Sequence, residues 1–226
     1  MAVEVLSYRL SLRGKPVGSH VLRTEERGRR VALEAKMMLQ GSLGQHTIMQ
    51  SSQAQRHPGL SLAFREEVLE GPERRRYEVR FDQESGLVKA TRGANDSAEV
   101  PYLRPYGDPL ELLYRLRRLG EPGELVHVPM LGKDVVVEYL GVAGLETVMG
   151  ERLARVYVLN PGGSYVYVDR EAPHVILKLT QRMGSQHLDA LLTKIAEEDA
   201  MPESGTPAGK GKGRRRRRRK RRNRST

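Results

Sequence analysis

Twelve cationic side chains crowd the last 17 positions of the chain: Lys210, Lys212, Arg214, Arg215, Arg216, Arg217, Arg218, Arg219, Lys220, Arg221, Arg222 and Arg224. A guanidinium presents a planar fork that binds phosphate through two parallel hydrogen bonds. Fully extended, the run reaches about 56 Å at ~3.3 Å per residue. Duplex phosphates come at about one per 1.7 Å of helix axis, so the run can meet many of them at once. The pattern points to nucleic acid, DNA or RNA, held through its phosphates without sequence specificity. No aromatic residue lies in the run, so base stacking contributes little there. An anionic membrane surface or an acidic partner suits the same charge.

The rest of the chain is electrostatically ordinary. Taking those 12 cations from the 39 Lys and Arg leaves 27 in residues 1–209, against all 28 Asp and Glu, a net of −1. That excludes a body that coats nucleic acid along its whole surface. There is no Cys, hence no disulfide, thiolate nucleophile or thiolate metal site. The six histidines, His20, His46, His57, His127, His174 and His187, fall at no metal-ligand spacing. No Gly-x-Ser-x-Gly elbow occurs, and the glycines of residues 209–213 lack the spacing of a phosphate loop. The carboxylate pairs Glu25/Glu26 and Glu66/Glu67 are adjacent in strand-like segments, so each pair points to opposite faces. General acid–base work needs two groups converging on one substrate. These residues point to a non-enzymatic protein with no metal and no cofactor.

The elements that carry the body are mostly strands. Val31, Leu33, Ala35, Met37 and Leu39 alternate with polar neighbours, and so do Leu60, Leu62 and Phe64, then Tyr77, Val79 and Phe81. Period two with one wet face is the mark of half-buried antiparallel strands. One segment departs from it. Asp108 stands at an N-cap, Pro109 at the first helical position, and Glu111 three residues past the cap, which predicts a capping box opening a helix over 108–120. Gly120 and Pro122 end it. Strands resume at Leu125–Met130, Lys133–Gly141, Glu151–Leu159, Ser164–Asp169 and His174–Arg182, and Asn160-Pro161-Gly162-Gly163 makes 151–169 a hairpin. Leu188, Leu191, Leu192 and Ile195 sit at i, i+3, i+4 and i+7, so a C-terminal helix is expected over 184–200, with Ser185 as its cap. The expected organisation is therefore a β domain over 1–183 with the helix inside it, the C-terminal helix, and a disordered tail over 201–226. The fold class is mainly β, a β-rich α+β: a curved antiparallel sheet or open half-barrel wrapping a central helix.

A curved sheet has a concave apolar face. If a cavity remains there, Met37, Met130 and neighbouring Leu and Val are suited to an apolar or lipid-like ligand, since Met adapts to irregular shapes. The alternative is that Leu110, Leu113 and Leu116 of the central helix fill the space as ordinary core.

Three stretches together resemble an uncharacterised bacterial domain-of-unknown-function family with a lipoprotein-carrier-like curved sheet: residues 8–22, YRLSLRGKPVGSHVL; residues 108–119, DPLELLYRLRRL; and residues 165–179, YVYVDREAPHVILKL. In that family an early strand carries a Gly-x-x-x-Gly-like turn, matched by Gly14 and Gly18. Asp-Pro-Leu opens the mid-chain helix, and a late strand ends in an acid followed by a proline, matched by Asp169 and Pro173. The resemblance implies the fold and brings no catalytic residues. Members usually carry a secretory signal, whereas this N-terminus is broken by Glu4 and Arg9 and reads as a strand. No stretch approaches the ~18 consecutive apolar residues of a spanning helix. The expected location is therefore cytoplasmic, at the nucleoid or ribosome through the tail.

Overall fold

The computed structural model describes residues 2–57, 59–93 and 96–199. Strands fill most of that length: β1 (Ala2–Leu12), β2 (Lys15–Arg27), β3 (Arg30–Leu39), β4 (His46–Gln55), β5 (Leu60–Glu70), β6 (Glu73–Asp82), β7 (Leu87–Arg92) and β8 (Asp96–Pro101) precede the helix α1 (Pro109–Leu119). After it come β9 (Val126–Met130), β10 (Lys133–Thr147), β11 (Gly150–Asn160), β12 (Ser164–Asp169), β13 (Ile176–Met183) and β14 (Gln186–Asp199). All 14 belong to one antiparallel sheet, in the order β8-β7-β6-β5-β4-β3-β2-β1-β14-β13-β12-β11-β10-β9. The mainly β fold class, the curved unclosed sheet and the internal helix are as the sequence predicts, and the 151–169 hairpin is β11 and β12.

The C-terminal helix expected over 184–200 is not a helix. Residues 186–199 form β14, which lies between β1 and β13. Leu188, Ala190 and Leu192 sit at period two and are buried, whereas Ile195 is 40% exposed. The same leucines satisfy both periods, and the neighbours decide. A helix here would leave β1 and β13 with unpaired backbone donors and acceptors in mid-sheet, a free-energy penalty that no local propensity offsets. Gly184 (φ 61°) with Ser185 makes the two-residue turn between Met183 and Gln186, so Ser185 sits in a hairpin and caps no helix.

The two arms of the sheet, β1–β8 and β9–β14, meet at β1 and β14, and α1 sits in the concavity between them. Leu6, Tyr8 and Leu10 of β1, Leu112 and Leu116 of α1, and Tyr157, Leu177 and Leu192 of the second arm share one buried core. The strap at Tyr106 and Gly107 spans the opening between the arms. Ser61 N donates to the Tyr106 carbonyl at 3.0 Å, and Gly107 N donates to the Pro129 carbonyl at 2.8 Å. Close approach also explains one glycine: at Gly18 (φ 151°) a Cβ would lie 1.9 Å from the Met38 carbonyl oxygen, so no larger residue fits.

Both ends of α1 are fastened to the sheet. Asp108 Oδ1 accepts from Leu110 N at 2.9 Å and Glu111 N at 3.1 Å, while Oδ2 accepts from the Ser52 and Ser61 hydroxyls at 2.6 and 2.7 Å. Burial pushes the Asp108 pKa above the usual range despite these four bonds. The second half of the capping box is absent. Glu111 turns instead to Arg115 one turn on, accepting from its Nε at 2.9 Å and its Nη2 at 2.8 Å. Glu111 is 1% exposed, and burial pushes its pKa up to about 7. At the other end Arg117 donates to Glu4 Oε2 at 2.9 Å and to the His174 carbonyl at 3.0 Å. The Arg155 guanidinium and the Tyr157 hydroxyl donate to the carbonyls of Arg117 and Gly120.

Asp108 thus joins α1 to β4 and β5. Asp108→Ala should destabilise the fold by about 2–4 kcal/mol, from the lost cap plus two stranded hydroxyls. Asp108→Asn, which keeps an acceptor for the cap, should lose less. Urea midpoints at unchanged slope measure both.

Candidate functional site

The helix fills one end of the concavity and leaves the other open. At its N-terminal end lies a cavity of ≈ 450 Å³, inside the roughly 300–1,000 Å³ range typical of small-molecule sites. Leu10, Met37, Ile48, Val166 and Leu188 form its strand walls, and Pro109, Leu110 and Leu113 form the helical one. Met37 and Met130 both line it, where the pattern of the sequence puts them. Leu112 and Leu116 are 4% and 0% exposed and pack into the core, so the helix both fills space and walls off what is left.

Polar side chains are the minority of the lining, with Asn160, Tyr165, Thr180 and Gln181 among them. His20 is 6% exposed, and its ring lies 5.7 Å from that of Tyr8, centroid to centroid. Its Nδ1 is buried with no hydrogen-bond partner. Burial lowers its pKa to about 4, so the imidazole is neutral near pH 7. Tyr8 turns its hydroxyl away, donating to the Ile176 carbonyl at 2.9 Å. Glu66 and Gln50 meet at the rim, Gln50 Nε2 donating to Glu66 Oε2 at 2.6 Å. Lys133 and Ser164 stand on other parts of the lining.

Beyond Glu66 the concave face changes character. Residues directly opposite in an antiparallel ladder share a face, and Gln50 pairs with Glu66, Glu66 with Tyr77, and Tyr77 with Arg92. This row leads from the apolar cavity into a groove of ≈ 760 Å³ lined by Glu66, Tyr77, Arg75 and Arg92, among others. Burial raises the Tyr77 pKa, which keeps the phenol protonated and a donor. Arg75 pairs with Glu70 at 2.7 Å. No ion pair engages Arg92 among the described residues.

The adjacent carboxylates Glu66 and Glu67 diverge, as period two requires. Glu67 joins an ion-pair ladder on the convex face, 2.7 Å from Arg74 and 3.2 Å from Arg65. Glu26 and Glu198 pair with Arg56 and Arg23. Among the described residues no three metal-ligating side chains converge. The twelve tail cations, Lys210 to Arg224, lie outside the described residues. The place of His20 in the cavity and the Glu66–Tyr77–Arg92 row are not legible in the sequence. Only the alternation that sets Arg75, Tyr77 and Val79 on one face carries part of that signal.

An unclosed antiparallel sheet curved around one helix defines a barrel-like β protein. A solved structure with this architecture is the beta-barrel-like protein of the domain of unknown function DUF1849 from Brucella abortus. It superimposes with a TM-score of 0.57 at 11% identity, over 88% of this chain and 99% of that one. The likeness is one of fold. It agrees with the expectation of an uncharacterised domain with a curved β sheet. No protein-family model matches the chain, and no curated protein matches it. No helix of the described residues is long and apolar enough to cross a membrane.

His20 makes a specific acid limb. Its folded pKa lies below its unfolded value near 6.5, so its contribution to stability is fully present above that pH and is lost as pH falls through about 4. The full loss is about 3 kcal/mol. Chemical denaturation between these pH values should show it in the native sequence and not in His20→Gln.

Proposed function

We propose that the chain is a non-enzymatic binding module whose half-barrel takes an apolar or lipid-like ligand. The observation that carries this reading is the mostly apolar cavity beside Leu110 and Met37, walled by strands from both arms. Cavities of this size with few polar groups are the common form of small-molecule sites. The resemblance to lipoprotein-carrier-like sheets supports the same reading. The test uses Ile48→Trp, which places an indole inside the cavity. The neutral fluorescent probe N-phenyl-naphthylamine should bind the full chain, and Ile48→Trp should weaken it by about tenfold or more. Because the chain has no Trp, the introduced indole also reports its own burial. Equal binding by both proteins would place the probe elsewhere and remove the reading.

A second reading concerns the tail, and the separation of charge along the chain favours it. A body of net charge −1 carries 12 cations at one end. The tail tethers the module to a polyanion, and DNA or RNA matches the phosphate-binding geometry of arginine best. If about 8 phosphates are neutralised, log K should fall with log salt at a slope near −7. The full chain should show this slope on duplex DNA or structured RNA, and residues 1–205 should lose most of the affinity. Binding only to anionic vesicles would replace nucleic acid by membrane as the partner.

A further inference from the structure

Glu66 lines both the cavity and the cationic groove, so the two adjoin along the concave face. On one side the surface is aliphatic, from Leu10, Ile48 and Leu188. On the other it offers the Arg92 guanidinium and the Tyr77 phenol. Building on the apolar-ligand reading, we propose that the ligand is an anionic amphiphile, its chain in the cavity and its carboxylate or phosphate head against Arg92 and Tyr77.

Three features of the geometry support this assignment. Arg92 has no ion-pair partner among the described residues, and Asp96, opposite it in register, makes no ion pair with it. Most of its neighbours are committed elsewhere: Arg74 to Glu67 at 2.7 Å, Arg75 to Glu70 at 2.7 Å, and Arg76 to Glu78. A head group at this point therefore gains a cation whose interactions are not already spent. Glu66 adds direction. Its carboxylate, held by Gln50, stands at the neck between cavity and groove, where it repels an anion. An anionic head then rests beyond the neck, on the arginine side, and not inside the cavity. Tyr77, opposite Glu66 in register, remains a protonated donor there.

Lys133 is the competing anchor. It lines another part of the cavity, is exposed, and makes no ion pair among the described residues. A head bound there would leave the groove unused.

The experiment measures binding of dodecanoate, dodecyl phosphate and dodecanol, all below their micellar concentrations, to the full chain and to Arg92→Gln, Arg92→Lys and Lys133→Gln. Every protein carries the same tail, so its contribution cancels between variants. The anionic probes should bind the native chain about tenfold more tightly than dodecanol. Arg92→Gln should remove that preference and leave dodecanol affinity unchanged, while Arg92→Lys restores part of it. The tighter of the two anionic probes assigns the head as carboxylate or phosphate. An unchanged preference in Arg92→Gln, or loss of preference in Lys133→Gln alone, overturns the proposal while leaving the apolar cavity intact. Failure of all three probes to bind removes the cavity reading itself.

Discussion

Eleven residues of β1 pair with β14, from Ala2 opposite Asp199 to Leu12 opposite Leu188, and this ladder joins the two ends of the chain in the middle of the sheet. Every other neighbouring pair is consecutive in sequence. Without this ladder the arms β1–β8 and β9–β14 would be two separate meanders, each with a long apolar face and a bare edge. With it they curve into one concavity. The inward row of β1, Leu6, Tyr8 and Leu10, is buried to 2% exposure or less because strands flank it on both sides.

A concave sheet must cover its inner face, and α1 does so incompletely. The helix is 11 residues long, about 16 Å at 1.5 Å per residue. It is tied down at both ends by polar groups in apolar surroundings: Asp108 to two serines at the start, and Arg117 to Glu4 at the finish. Buried charges of this kind contribute more to placement than to net stability, because their desolvation offsets much of the attraction. Their effect is to hold the helix toward one end. The space at the other end is a consequence of that placement, and the leucines of α1 become its wall.

Much of this is legible in the sequence. Period two in Val31–Leu39 and Tyr77–Phe81, and the Asp-Pro start of α1, are local signals, and local signals survived folding. Met37 and Met130 could be placed on the concave face for the same reason. The C-terminal segment was misread because Leu188, Leu191, Leu192 and Ile195 fit a helical stripe while Leu188, Ala190 and Leu192 fit a strand face. What decides between them is a partner nearly the whole chain away, which no local window contains. Glu111 was misassigned to its cap for a related reason. The sequence places Arg115 one turn later, but only the buried surroundings make that pairing prevail over the bond to the Asp108 backbone. The row from Glu66 to Arg92 depends on the register of three strands, and register is set by turns and burial together.

Charge is divided among three places, and the division bears on function. On the convex face of β5 and β6, Arg65, Arg74 and Arg76 pair with Glu67 and Glu78, so two carboxylates offset part of the positive charge there. Surface pairs of this kind add little stability. Among the described residues Arg92, which lines the concave groove, makes no ion pair. Twelve further cations are concentrated beyond residue 209, where no acid balances them. Under the readings proposed above, a polyanion would meet the tail first, because the body has already neutralised most of its own arginines. A small anionic amphiphile, able to enter the concavity, would find Arg92 on the groove side of Glu66, a cation that the fold leaves without an ion pair.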